Sequence, residues 1–361
     1  MSLAHYDILL IERAIDDFKR GVPVIIEDEA HAVLALPIEY VDQASLDLMA
    51  EFSVDEKAYL LISATRSKVL NASIQFDSPV KVPFTDLAHA RAIAGLTKLK
   101  EQPSVSETVS ADIIEQMALR LIKIGELLPS AIICAINKPY PSSLLALTEE
   151  HISQYKKQTI ATLNKISSAN LPLHGAEDSQ IVAFRSSYGG KEHYAILVGD
   201  IKGQKSPLVR VHSSCYTGDL IASLACDCRD QLHTAIRLMG EDEGGIILYL
   251  QQEGRGIGLT NKIRAYAYKD KGLDTVDANE ILGFDDDERL FEPAAQMLKK
   301  LNIKSIKLLS NNPRKAKGLS ELGIEVIATV PHVMQIHQHN ARYLETKVSR
   351  LGHTMKKEKK K

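Results

Sequence analysis

The chain has 361 residues, 45% hydrophobic and 25% charged, the balance of a soluble globular protein long enough for two domains. A formal charge of −2 supplies no global field for nucleic acid, and no uncharged run reaches the length of a membrane-spanning helix. The opening segment sets Asp7, Glu12 and Arg13 around its only apolar run, the pattern of an amphipathic helix rather than a secretory signal, so a cytoplasmic protein is expected.

Residues 7–20 place Ile8, Ile11, Ile15 and Phe18 on one helical face. Strands are expected at 22–28, VPVIIED, and at 31–41, HAVLALPIEYV. A helix begins at the capping residue Asp42 in DQASLDLMAEF, and AYLLISA follows as a strand. Residues 110–127, SADIIEQMALRLIKIGEL, predict a long helix closed by Pro129. The next stretch, SAIICAI at 130–136, reads as a buried strand in which Cys134 is a small hydrophobe. Interleaved strands and helices make this half a mixed α/β unit. A polar helix over 148–166 and the turn-rich SSANLPLHGAEDS put the domain boundary near 165.

In the second half, QIVAFRSSY and HYAILVGDI form a meander about Gly189-Gly190, and PLVRVHSS is a strand. The stretch CRDQLHTAIRLMGED is a helix ended by Gly244-Gly245, and IILYL at 246–250 is a buried strand. QQEGRGIGL then leads into the helix TNKIRAYAYKDKG. Farther on, SIKLLS, NNPRKAKGLSELG and EVIATV form a strand–helix–strand unit, with Pro313 in the first helical turn and Gly323 at the C-terminal cap. The basic tail 356–361 is expected to be disordered.

Three of the four cysteines, Cys215, Cys226 and Cys228, fall within fourteen residues in a Cys-x10-Cys-x-Cys pattern. In a reducing compartment such a cluster points to metal ligands or nucleophiles rather than disulfides. Two readings stay open on spacing alone. A histidine such as His212 or His233 closes a structural zinc site, or the fourth corner is open and the zinc is catalytic.

Two strand-to-helix junctions have the make-up of phosphate cradles. QEGRGIGL carries Gly254, Gly256 and Gly258 beside Arg255, Lys262 and Arg264. SNNPRKAKG carries Arg314 and Lys315 at a helix start, where free backbone N–H groups favour anions. Together with a metal cluster they point to a phosphorylated substrate, a nucleotide.

The runs VRVHSSCYTGDLIASLACDCRDQLH, YLQQEGRGIGLTNKIRAYAYKDKGLDTVDAN, LGFDDDER and LLSNNPRKAKGL resemble GTP cyclohydrolase II, the enzyme that begins riboflavin biosynthesis. The likeness runs from about 166 to 354, and it sets a domain at 166–355. It implies that GTP loses C8 as formate, together with pyrophosphate, leaving 2,5-diamino-6-ribosylamino-pyrimidinone 5'-phosphate. It implies a catalytic zinc on Cys215, Cys226 and Cys228, and a magnesium ion with the triphosphate. The GTP-contact positions would be Arg210, Val211, His212, Ser213, Ser214, Gln231, Glu253, Gly254, Arg255, Thr275, Ser310 and Lys315. Asp287 falls at the proton acceptor, Arg289 at the proposed nucleophile and Tyr266 at a catalytic tyrosine. A guanidinium protonated to a pKa above about 12 suits a phosphate clamp better than a nucleophile. Four positions depart from the family pattern: Ser214 for glutamate, Ser310 for threonine, Gln251 for arginine and Arg229 for glycine.

The opening IERAIDDFKRGVPVIIEDEA resembles 3,4-dihydroxy-2-butanone 4-phosphate synthase, which in many bacteria precedes the cyclohydrolase. Glu27, Asp28 and Glu29 survive, but Ala30, Ala32, Val33 and Leu34 offer magnesium no oxygen ligands. DLAHARAIAGL at 86–96 reads as a relic of a second active-site segment. Residues 1–165 are therefore expected to be an inert synthase-like domain with a linker helix, serving stability, dimerisation or regulation. The fold class expected is mixed α/β in two domains, and homologous domains imply a homodimer. The rival reading is a GTP-binding pseudoenzyme, motivated by Ser214 and the eroded first half. A zinc-dependent nucleic-acid module is disfavoured by the near-neutral charge and by 5% aromatic content without tryptophan. A nucleobase deaminase would need His-x-Glu and Pro-Cys-x-x-Cys, which the chain lacks.

Overall fold

The computed structural model describes residues 3–70, 76–97, 103, 105, 107–269, 273–334, 345–346, 348–350 and 352. The basic tail and most of the YLETKVSRLGHTM run lie outside the described residues. The chain divides into two compact units, Met1–Gln158 with Thr260–Glu288, and Thr159–Leu259 with Arg289–Lys361. Thr260–Glu288 thus belongs by its contacts to the first unit, although it lies well beyond residue 165 in the chain.

The chain begins with α1 (Leu3–Lys19), which buries Ile8, Ile11, Ile15 and Phe18 as its periodicity requires. Then come β1 (Val24–Glu27), β2 (Ala32–Pro37), α2 (Gln43–Phe52), β3 (Tyr59–Ile62), α3 (Ala64–Leu70), β4 (Val80–Val82) and α4 (Leu87–Ile93). The first half closes with β5 (Val109–Ser110), α5 (Ile113–Ile124), β6 (Ser130–Ala135), β7 (Ala146–Thr148) and α6 (Glu149–Ala161). Seven strands form one sheet in the order β5-β4-β3-β6-β2-β1-β7. β2 lies between β6 and β1, and α5 packs over it, so all six of its residues are buried. Asp42 and Asp112 start α2 and α5 with capping boxes. Cys134 is buried in β6, and burial pushes its thiol up to about 12, as fits a packing residue. The relic segment 86–96 forms α4 behind its capping residue Asp86.

The polar helix expected to 166 stops at Ala161, and β8 (Leu163–Asn170) follows. Its polar residues sit in a strand because β9 (Ser179–Ser186) pairs with them antiparallel, and exposed strand positions need no apolar side chains. The rest is β10 (Gly189–Val198), β11 (Leu208–Ser213), α7 (Cys228–Glu241), β12 (Gly245–Leu250), α8 (Leu259–Lys269) and α9 (Thr275–Ile281). After these come α10 (Glu292–Lys300), β13 (Ser305–Leu309), α11 (Pro313–Glu321) and β14 (Glu325–Val330). The second sheet has the order β14-β13-β11-β12-β10-β9-β8. Its core gathers Val182, Phe184, Val209, Val211, Leu248, Met297, Leu298 and Leu308 between the strands and α10 and α11. The fold is mixed α/β, as expected. The short β4, β5 and β7 carry too few residues to display a period, so no strand is expected at those positions from pattern alone.

Candidate active site

β11 runs parallel to both β12 and β13. From β11 the chain crosses through α7 to β12 on one side, and from β13 it crosses through α11 to β14 on the other. Neighbouring parallel strands whose connections leave in opposite directions open a crevice at their carboxyl ends, where α/β sheets hold ligands. Ser213 ends β11 and Ser214 and Cys215 follow it, while Ser310, Asn311 and Asn312 follow β13.

The sulfurs of Cys215, Cys226 and Cys228 lie within 4.8 Å of one another, with Cys215 and Cys226 at 3.8 Å. Thiolates bound at about 2.3 Å to a tetrahedral zinc stand about 3.8 Å apart, so the donor set and spacing fit that ion. Close packing needs a glycine at 218. A Cβ there would come 2.9 Å from Cys226 Sγ, 2.9 Å from Cys228 Cβ and 3.0 Å from Cys215 Sγ. The Gly218 N–H donates to Cys215 Sγ at 3.3 Å. Contact among the three thiols pushes Cys226 up to about 11 and raises Cys228 well above the ordinary range. A bound cation reverses that order, because a coordinating thiol is deprotonated. Among the described residues no histidine or carboxylate joins the cluster as a fourth ligand. His233 is exposed on α7, and His212 is engaged elsewhere.

That engagement centres on Asp219, whose side chain is 8% exposed. One carboxylate oxygen accepts from the Cys215 N–H at 2.9 Å and from the Tyr249 hydroxyl at 2.8 Å. His212 Nε2 sits 3.2 Å from both oxygens, and its ring stacks on Tyr249 with centroids 5.6 Å apart. On the other side His212 Nδ1 accepts from Arg210 Nε at 3.3 Å. The buried Arg210 also donates to Gln231 at 2.5 Å, and Gln231 donates to Asp227 at 2.6 Å. Val211 is core. Thus Arg210, Val211, His212 and Gln231 are knitted into the wall behind the cysteines. Asp219, Tyr249 and Gly218 were not singled out from sequence, although the Thr-Gly-Asp that follows Cys215 is the signal that could have found them.

Glu253 joins the glycine turn to the cysteine turn. It accepts from the Tyr216 N–H at 2.6 Å and from the Gly254 N–H at 2.9 Å. Gly254, Gly256 and Gly258 all have positive φ, and Arg255 between them shares it at 66°. Both terminal nitrogens of Arg255 are buried without a hydrogen-bond partner, as are Ser214 Oγ and Gln252 Oε1. A buried guanidinium left unpaired is costly, so this turn is built for an anion. At the second junction the Ser310 hydroxyl accepts from the Asn312 N–H at 3.1 Å, and Asn312 caps α11. Lys315 is buried and donates to the Val211 carbonyl at 2.6 Å. His332, another residue not foreseen, meets the Gln231 carbonyl at 2.8 Å.

The remaining expected residues divide between the units. Arg289 opens the second segment of the unit that holds the cysteines. Tyr266 on α8, Thr275 at the start of α9 and Asp287 belong to the other unit. There Lys262 Nζ lies 5.7 Å from the Tyr266 ring centroid.

The family model for GTP cyclohydrolase II matches residues 164–331. GTP cyclohydrolase-2 of Azospirillum brasilense is 38% identical over 95% of this chain and 93% of its own. The chain belongs to the GTP cyclohydrolase II family. It is a hydrolase of riboflavin biosynthesis. GTP cyclohydrolase-2 of Klebsiella pneumoniae (strain 342), 47% identical, spans 54% of this chain and 96% of its own. The riboflavin biosynthesis protein RibBA of Endomicrobium trichonymphae is 40% identical over 67% of this chain and 63% of its own. A solved two-domain 3,4-dihydroxy-2-butanone 4-phosphate synthase from A. baumannii covers 90% of this chain and 99% of its own. At 16% identity and a TM-score of 0.31 it is too distant to argue from. No helix among the described residues is long and apolar enough to cross a membrane.

Proposed function

We propose that the chain is a zinc-dependent GTP cyclohydrolase II whose first half carries no synthase activity. The products would be formate, pyrophosphate and 2,5-diamino-6-ribosylamino-pyrimidinone 5'-phosphate. The observation that carries this reading is the 3.8 Å spacing of the Cys215 and Cys226 sulfurs in a cluster of three thiols at the carboxyl end of β11. Zinc held by Cys215, Cys226 and Cys228 would supply water acidified enough to attack C8 of guanine at neutral pH.

The chain's own residues would do the rest. Asp219 holds the Cys215 backbone and so the pitch of the cysteine turn. The unpaired Arg255 guanidinium and the α11 N-terminus would take the phosphates, and magnesium would neutralise part of their charge. Ser214 Oγ and Gln252 Oε1, also unpaired, are available to the base and ribose. Within the proposal Asp287 accepts a proton, Tyr266 orients the attacking water and Arg289 clamps phosphate. Gly254, Thr275 and Ser310 remain proposed GTP contacts. A homodimer in the cytoplasm completes the reading.

Two observations support the loss of synthase chemistry. Glu27 is held by Lys138 at 2.9 Å and by the Tyr140 hydroxyl at 3.0 Å. Asp28 spends its carboxylate on the Ala30 and His31 N–H groups at 2.8 and 2.7 Å, closing the β1–β2 turn. In addition, the Azospirillum relative that aligns along nearly the whole chain carries the cyclohydrolase name alone.

The test is formate release from GTP and magnesium by zinc-loaded protein. Turnover supports the reading, and nucleotide binding without formate would favour the pseudoenzyme. The Ser214→Glu variant then separates an impaired enzyme, which gains rate, from a pseudoenzyme, which does not.

A further inference from the structure

We infer that the synthase-like half works as a clamp that positions Thr260–Glu288, the segment carrying Tyr266, Thr275 and Asp287, with Lys123 as its central positioning residue. The inference rests on the roles proposed above for those three residues.

The segment is bound along its length within one compact unit. Near its start Asn261, fully buried, donates to the Glu126 carbonyl at 2.9 Å. Arg264 pairs with Glu39 at 2.5 Å, and that carboxylate, 8% exposed, also accepts from the Leu128 N–H. The Tyr268 hydroxyl donates to the Gly95 carbonyl at 2.9 Å. Tyr266 thus sits on a helix turn anchored on both sides. Close to the segment's end, Ser63 donates to the Gly283 carbonyl at 2.7 Å.

Two glycines let the surfaces meet at backbone distance. A Cβ on Gly95 would lie 2.7 Å from the Ile281 carbonyl, and one on Gly283 would lie 2.9 Å from Ser63 Oγ. Contact that close is built in, and no larger residue fits without a shift.

Lys123 on α5 bears most directly on the chemistry. Its Nζ reaches Asp285 at 3.1 Å and Glu288 at 2.6 Å, and Thr65 adds a bond to Asp285 at 2.8 Å. The two carboxylates flank Asp287 in sequence, so one ammonium fixes the backbone on both sides of the proposed proton acceptor. Burial would lower the Lys123 pKa, but Glu288 and Asp285 outweigh it and hold the ammonium charged. None of the clamping groups is Glu27, Asp28 or Glu29. The clamp can therefore persist where synthase chemistry has gone, which gives the first half a use that its lost reaction does not explain.

The experiment compares Lys123→Met, Lys123→Arg and Ser63→Ala with the wild type in the full zinc-loaded chain. Formate release gives kcat and KM, metal analysis gives zinc content, and hydrogen exchange reports on 260–288. Lys123→Met should lower kcat about tenfold or more, since small misplacements of a reacting group cost that much. KM for GTP and zinc content should hold, and Lys123→Arg should recover most of the rate. A merely structural role would move stability without this split. Wild-type kcat in Lys123→Met overturns the inference, as does a loss of zinc that accounts for the whole effect. Should the wild type release no formate, the functional reading fails by itself. Faster exchange at 283–288 in Lys123→Met and Ser63→Ala would then still support the clamp, and unchanged exchange would refute it.

Discussion

Lys315 donates its Nζ to the Val211 carbonyl at 2.6 Å, tying the first turn of α11 to the middle of β11. The lysine is thus a strut of the crevice as well as a cation near its mouth. Lys315→Met keeps the length of the chain and removes the charge and the bond. Losing a buried charged hydrogen bond costs about 1.5–3 kcal/mol. The denaturation midpoint should fall accordingly, and GTP affinity with it. An unchanged midpoint would show that the strut carries nothing.

Gly218→Ala should empty the metal site. Its new methyl would sit 2.9 Å from Cys226 Sγ and 3.0 Å from Cys215 Sγ, which the sulfurs can relieve only by spreading. We expect purified Gly218→Ala to hold well under one zinc per chain by elemental analysis, with formate release falling in proportion. A full complement of zinc would contradict the geometry.

Asp219→Asn retains one acceptor oxygen for the Cys215 N–H and the Tyr249 hydroxyl, but it loses the charge and turns an amide N–H toward His212 Nε2. Each buried bond left unmet costs about 1–3 kcal/mol. Chelator competition should find zinc bound at least about tenfold more weakly, because about 1.4 kcal/mol is a factor of ten. Tyr249→Phe, which removes only one donor, should do less.

Acid should destabilise the chain through two buried histidines. Burial lowers His193 to about 4, and burial with the Arg210 charge lowers His332 to about 3. Both lie below the unfolded value of about 6.5. Between those limits the unfolded chain binds protons that the folded chain refuses, so stability rises with pH. The contribution is complete above about pH 6.5 and is lost as pH falls toward 4 and then 3. At pH 5 the loss is about 2 kcal/mol for each histidine. His193→Gln, which can still accept from the Gln251 N–H, should flatten the fall in midpoint between pH 7 and pH 5.

Synthase turnover should be absent from the full chain with magnesium present, and Glu27→Ala should leave formate release unchanged. Glu27 is occupied by Lys138 and Tyr140. Detectable 3,4-dihydroxy-2-butanone 4-phosphate would overturn the assignment of an inert first half.

Sequence alone made the chemistry legible where residue type dictates it. Three cysteines in fourteen residues, the glycine turn at 254–258 and Pro313 after Asn312 each announce a local geometry, and the structure gathers the cysteines as expected. Partners set by tertiary contact stayed hidden. Nothing in the spacing of Asp219 and Tyr249 says that they meet, since β12 brings Tyr249 alongside His212 only once the sheet forms. The polar β8 reads as a helix end to 166 and as turn formers after it, because a strand whose face is open to water has no apolar alternation to reveal it. The membership of Thr260–Glu288 in the first unit was likewise invisible, because its anchors at Glu39, Gly95 and Lys123 lie more than a hundred residues away in the chain.

Ala32 to Pro37 are buried at every position. A carboxylate placed anywhere along that strand would have to leave water for an apolar interior, a transfer costing several kcal/mol without a waiting counter-ion. Single substitutions that would build a magnesium site along this strand therefore pass through unstable proteins. The centre of the first sheet is thereby reserved for apolar side chains, whatever chemistry its loops carry.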